Sequence, residues 1–205
     1  MSTTPDDLRA RNLRMLAALA ALFLVPLLLA FYMYYATDWR PVRRVNHGTL
    51  ISPVRPLPVV HLPRVSLSES GPPPTGAAND FRTQWSLVYI GTGNCDEPCR
   101  QALYVMRQTR LSLNNNMTRV DRVFLTTGSC CAREFLAKEH AGLVVLDATG
   151  PDGSRLLREF PQDGRPYSVF IVDPLGNLMM SYDARQNPKG LLEDLQKLLR
   201  LSHIG

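Results

Sequence analysis

Residues 15–36, MLAALAALFLVPLLLAFYMYYA, carry no charged side chain, and this stretch constrains the chain more than any other. At 1.5 Å per residue, a helix of that length crosses a hydrocarbon core of about 30 Å. Pro26 would kink a helix in water, but membrane helices tolerate proline. Phe31, Tyr32, Tyr34, Tyr35 and Trp39 cluster at the far end, as rings do at the headgroup level. A cleaved signal peptide has a shorter apolar region and a small-residue cleavage site, and here aromatic residues stand in that place. The expectation is a single-pass anchor over residues 15–37 behind a tail of residues 1–14. Arg9, Arg11 and Arg14 precede the span, and Arg40, Arg43 and Arg44 follow it, so the charge bias is nearly balanced. The short tail and large remainder favour a cytoplasmic N-terminus in a bacterial-type inner membrane, with the soluble part in the periplasm.

Composition excludes several classes. With 45% hydrophobic residues in 205, a core can form, and four cysteines are too few for a disulfide-dense scaffold. The net charge of +5 sits mostly beside the span, without a basic stripe interleaved with aromatics, so nucleic acid is not an expected partner. Gly91 and Gly93 lack the later glycine and lysine of a phosphate loop, so no nucleotide is expected either. Residues 38–80 are proline-rich and read as a stalk, or as an N-terminal extension adding a strand or hairpin. Within them, residues 66–78 look like a mobile loop.

From Phe81 onward the pattern is regular. Apolar runs at 86–90, 122–126, 143–146 and 167–172 suit buried strands, and residues 178–182 pair back across a turn at 173–176. Helices are expected over 98–113, with Leu103, Met106 and Leu111 inward, and over 131–140, 154–160 and 188–201. The order β-α-β-α-β-α-β-β-α implies an α/β domain with a mixed sheet and helices on both faces. That is the layout of a thioredoxin-like domain, here over residues 81–205 and behind the transmembrane helix.

Cys95 and Cys99 fall between the first of these strands and its helix. A helix start, with its unpaired N–H groups and positive dipole end, favours a thiolate, which Asp96 and Glu97 partly oppose. Two thiols at this spacing close a disulfide or share a soft ion such as Cu(I). Cys130 and Cys131 follow the second strand, at the same carboxyl edge of the sheet. They read either as one buried residue and a bystander, or as a second thiol pair exchanging with the first. His47, His61, His140 and His203 read as surface residues, although His61 and His140 could approach the site.

Trp85 to Ile90, the C-x3-C pair and the strand running into Asp173-Pro174-Leu175-Gly176 together resemble the Sco/SenC family. Its members are membrane-anchored, thioredoxin-fold proteins that assist copper insertion into cytochrome c oxidase. The resemblance implies that Cys95 attacks, that Cys99 resolves, and that Pro166, in cis, faces the pair. It also implies Cys95 and Cys99 as copper ligands. Two departures matter. Arg165 takes the place of the family's third ligand, a histidine, and a guanidinium does not ligate copper. Arg100 follows Cys99 where the family has a proline.

Three functions stay open. The first is oxidase assembly, by Cu(I) delivery or by dithiol reduction of copper-site cysteines, with a cytochrome c oxidase subunit or another copper or thiol protein as partner. The second is general thiol–disulfide exchange outside the cytoplasm, with Arg165 as a thiolate stabiliser beside Cys95. The third is a non-catalytic docking module.

Overall fold

The structure, a computed structural model, describes residues 5–36, 45–67, 81–129, 132–202 and 204–205. The chain forms two compact units, Met1–Arg44 and Val45–Gly205. The first contains helix α1 (Pro5–Ala36), with Pro26 inside it. Its segment Arg9–Ala36 is long and apolar enough to cross a membrane. Large apolar side chains along it, Leu22, Phe23 and Leu28 among them, stand exposed, as a lipid-facing helix requires. Trp39, Arg40, Arg43 and Arg44 lie outside the described residues.

The second unit is built on a six-stranded mixed sheet in the order β1-β6-β5-β2-β3-β4. β2 (Trp85–Gly91), β3 (Val120–Thr126) and β4 (Val144–Asp147) run parallel. β5 (Ser168–Val172) pairs antiparallel to β2, and β6 (Asn177–Asp183) folds back on β5. Period-two alternation divides the sheet into two faces. Leu87, Tyr89 and Phe124 pack into one core, and Val88, Ile90 and Leu125 into the other. Burial on both faces is why these strands read as unbroken apolar runs.

α2 (Glu97–Ser112), α3 (Arg133–Glu139) and α5 (Pro188–Leu201) place side chains in the first core. α4 (Pro151–Leu157) covers the second, together with Leu57, Val60 and Leu62. On α2 the inward stripe is Cys99, Ala102, Leu103, Met106 and Thr109, at helical spacing. Leu111, expected inward, is off that stripe and half exposed. α5 begins on Asn187, whose side chain accepts from the Gly190 N–H at 2.8 Å, and buries Leu191, Leu195 and Leu199. α4 starts three residues earlier than expected, because Gly150 is extended and Pro151 occupies the first turn.

Within the stretch 38–80, Thr49–Pro56 forms strand β1, antiparallel to β6 at the sheet edge. The segment is fastened where it enters the unit. The Asp194 carboxylate on α5, 5% exposed, accepts from the N–H groups of His47 at 2.7 Å and Gly48 at 3.1 Å. It also accepts from the Tyr182 hydroxyl at 2.7 Å. Burial, and then Asp194, hold that phenol protonated far above its ordinary range. Further along, the Val65 N–H donates to the Val145 carbonyl at 2.9 Å, against the outer edge of β4. Residues 68–78 of the expected mobile loop lie outside the described residues.

Candidate functional site

β2 ends at Gly91, and the chain turns through Thr92 and Gly93 to reach Cys95 before entering α2. The Cys95 N–H donates to the Thr92 carbonyl at 3.3 Å, and Cys95 has φ 44°, in the left-handed region that non-glycine residues rarely occupy. Asp96 caps α2, its carboxylate accepting from the Cys99 N–H at 3.3 Å. This geometry brings the Cα atoms of Cys95 and Cys99 within 5.0 Å, and the two sulfurs form a disulfide. Both residues are almost fully buried, at 1% and 0% exposure.

The cation at this loop is Arg100. Its Nε donates to the Cys95 carbonyl at 3.3 Å, and its guanidinium lies 4.4 Å over the Phe135 ring. The signal for it was present in the sequence, since a residue one position after Cys99 on a helix start can reach back across the loop. Arg165, expected beside Cys95, is engaged elsewhere. Its Nη2 donates to the carbonyls of Leu157 at 2.9 Å and Phe160 at 2.8 Å, and its Nε to that of Pro161 at 3.2 Å. A helix end leaves carbonyls without partners, and Arg165 supplies donors at and just beyond the end of α4.

Pro166 sits in a turn that touches the two elements flanking the disulfide loop. Its short 3-10 turn, Arg165–Tyr167, packs against α2 and β2, and the Tyr89 hydroxyl donates to the Pro166 carbonyl at 3.0 Å. Burial, reinforced by Asp96 and Tyr167, raises the Tyr89 phenol well above its ordinary range. The cis geometry expected of Pro166 is corrected, because the cis bond among the described residues is Ser52–Pro53 and the Arg165–Pro166 peptide is trans. Gly164, at φ 67°, turns the chain just before it.

Cys130 and Cys131 lie outside the described residues. The chain beside them is fixed, however. The Thr127 N–H donates to the Gly91 carbonyl at 2.9 Å, and the Ala132 N–H donates to the Gly93 carbonyl at 3.0 Å. The residue directly after the second pair is therefore hydrogen-bonded two residues before Cys95.

The histidines separate by environment. His47 pairs with Glu193 at 2.9 Å, the His61 N–H donates to Asp152, and His203 lies outside the described residues. His140, expected at the surface, is 3% exposed because it closes α3 against the core. Its ring meets Phe135 edge-on at 5.2 Å, and it lines an open cleft with Glu97, Arg100, Gln101 and Tyr104. Burial above all, then Arg122 and Arg107, pull its pKa down to about 4 against a weaker opposing effect of Glu139.

This depression sets a sign for stability. Between about pH 6.5 and 4 the unfolded chain binds a proton that the folded chain refuses. Stability from His140 is thus complete above that window and falls as pH drops through it, by about 3 kcal/mol. Urea unfolding at pH 7 and pH 4.5 should show this loss, and His140→Leu should remove most of it. An unchanged acid loss in the variant would contradict the assignment.

Among the described residues, no three His, Cys, Asp or Glu side chains stand together to hold a metal ion. The donor set here is two sulfurs already joined to each other, and Arg165, which takes the family's third-ligand position in the sequence, donates instead to carbonyls at the end of α4. A disulfide of this kind is chemically capable of two-electron thiol–disulfide exchange, and the pair can offer Cu(I) two thiolates only after reduction.

Residues 85–202 match the family described as transmembrane-like, thioredoxin-like, C-terminal domain. The chain belongs to this family. No curated protein matches it in sequence. The thioredoxin-like domain shares its fold with solved Sco1 structures at low identity. The apo Sco1 protein from Thermus thermophilus is 18% identical, with a TM-score of 0.56, over 77% of this chain and 99% of that one. Yeast Sco1 with copper bound is 15% identical, with a TM-score of 0.57, over 71% and 93%. A SCO1/SenC family lipoprotein from Bacillus anthracis is 14% identical, with a TM-score of 0.52, over 74% and 98%. These likenesses show the thioredoxin-like, mixed-sheet fold of the second unit.

Proposed function

We propose that this protein is a membrane-anchored dithiol reductase that assists cytochrome c oxidase assembly by reducing cysteines of its copper site. The observation that carries the reading is the Cys95–Cys99 disulfide at the start of α2, with Arg165 committed to carbonyls at the end of α4. In the reduced protein the Cys95 thiolate attacks a substrate disulfide, forming one S–S bond as the other substrate sulfur leaves and takes a proton. The Cys99 thiolate then displaces the substrate from Cys95. The products are a substrate dithiol and the Cys95–Cys99 disulfide, with two electrons and two protons transferred. An external dithiol must reduce the pair for each new turnover. Pro166 shapes the docking face beside α2, and the domain faces the periplasm, with the N-terminus cytoplasmic.

The placement of Ala132 against Gly93 supports Cys130 and Cys131 as a second pair relaying electrons to the first. A second functional reading rests on the burial of both sulfurs, which favours a structural disulfide in a docking module. Anaerobic Cu(I) titration of the reduced full-length protein separates thiol chemistry from copper delivery. The reductase reading predicts Cu(I) binding too weak to compete with a strong chelator. Tight binding lost in Cys95→Ser/Cys99→Ser would overturn it in favour of Cu(I) delivery.

A further inference from the structure

Away from the disulfide, between α2, β3 and α3, lies a cleft of about 210 Å³ lined by Arg107, Arg110, Arg122, Lys138 and Glu139. Four cations face a single carboxylate there. Arg122 enters from β3 and is 4% exposed. Its Nη2 donates to the Ala141 carbonyl at 2.6 Å, but Nε and Nη1 are buried with no hydrogen-bond partner among the described residues. Buried guanidinium groups are ordinarily paired, since leaving donors unmet in a low dielectric is costly.

The carboxylates nearby do not fill the need. Glu139 reaches Arg107 at 3.6 Å, with both side chains nearly half exposed, so that pair contributes little. Asp121 is close enough to Arg110 to feel its charge, but as Arg122's neighbour along β3 it points to the other face of the sheet. Arg110 Nε is already committed to the Val120 carbonyl at 2.7 Å. Arg110 and Arg107 add to burial in pulling the Arg122 pKa down to about 10, so like charges converge without a counter-charge.

The geometry points to a binding site for a phosphate dianion in this cleft, held by Arg107, Arg110 and Lys138 around it and, once the side chains above it part to uncover its buried Nε and Nη1, by Arg122. The planar fork of a guanidinium matches two phosphate oxygens, and three surrounding cations favour a doubly charged ligand. The cleft is smaller than an ordinary organic-ligand pocket, which limits the occupant to inorganic phosphate or a terminal phosphate monoester. The site is independent of the thiol chemistry, so either can fail without the other.

The test is thermal unfolding of the full-length protein in neutral detergent, with 10 mM inorganic phosphate against sodium chloride of equal ionic strength. Phosphate is expected to raise Tm by about 5 °C. Arg122→Met should abolish the shift. Arg107→Gln, a change at the open rim, should keep the phosphate-free Tm and weaken phosphate binding by calorimetry about tenfold. An equal shift in wild type and Arg122→Met, or none in wild type, would overturn the site. If Arg122→Met does not fold, Arg107→Gln and Lys138→Gln decide, and unchanged phosphate affinity in both would overturn it. The source is read by repeating the titration in phosphatidylcholine nanodiscs with and without phosphatidic acid. A shift that phosphatidic acid abolishes supports the site with a lipid headgroup as occupant, and one that persists supports it with free phosphate.

Discussion

Cys99→Ser should convert this protein into a trap that holds its substrate on Cys95 through a mixed disulfide released by dithiothreitol. The expectation follows from the two-step exchange, in which Cys99 resolves the bond that Cys95 forms. Cys95→Ser should trap nothing, and either variant should lower dithiol-dependent reduction of a model disulfide to background. Mass spectrometry of the full-length protein, incubated with a copper-site peptide bearing an oxidised cysteine pair, reads both outcomes. Equal trapping by the two variants would reverse or remove the assigned roles. Because both sulfurs are buried in the oxidised form, the loop from Gly91 to Asp96 has to open before a thiol can reach them. Small thiols should therefore react more slowly than a docked partner. The strained φ of Cys95 marks that residue as the one whose backbone relaxes on opening.

The second large effect is structural. Asp194→Ala should destabilise the domain by about 4 kcal/mol, because it removes one buried carboxylate and leaves three donors unmet. Those donors are the His47 and Gly48 N–H groups and the Tyr182 hydroxyl. For a domain of this size the loss corresponds to a fall in Tm of roughly 10 °C. Tyr182→Phe should cost about 1.5 kcal/mol, since the carboxylate keeps its two backbone donors. Urea unfolding of both variants gives the comparison. An Asp194→Ala cost below that of Tyr182→Phe would show that the entry segment is held by something else. The same contact joins residues 47–48 to α5, so amide exchange in β1 should accelerate in Asp194→Ala.

How much was legible beforehand depended on whether a residue's partners were local. The strands at 85–91 and 168–172 were readable because burial on both faces leaves an unbroken apolar run. α5 was readable from its leucine stripe and Pro188, and the Cys95–Cys99 spacing at a strand-to-helix loop marked the site. β1 was legible only as one of two alternatives, the strand or hairpin that the stretch 38–80 could add. Its residues alternate poorly, and the segment just before it is fastened to Asp194, well over a hundred positions away. Arg165 was misassigned for the same reason, because a short sequence offset to a strand says nothing about which carbonyls a long side chain will reach. His140 looked like a helix end at the surface, and only the packing of α3 against the core buried it. Arg122 gave no signal at all, since one arginine in an apolar strand is ordinarily read as pointing to solvent.

The most direct test of the account is a redox titration of the Cys95–Cys99 pair in the full-length protein. The protein is equilibrated anaerobically in dithiothreitol buffers of graded potential, and free thiols are counted by alkylation and peptide mapping. A reductase requires a two-electron transition within the range of exchangeable protein dithiols, roughly −120 to −270 mV. It also requires that Cys95→Ser and Cys99→Ser each leave the remaining cysteine unable to show it. A pair that stays oxidised well below about −300 mV would contradict the account and leave the disulfide as a structural clasp at the head of α2.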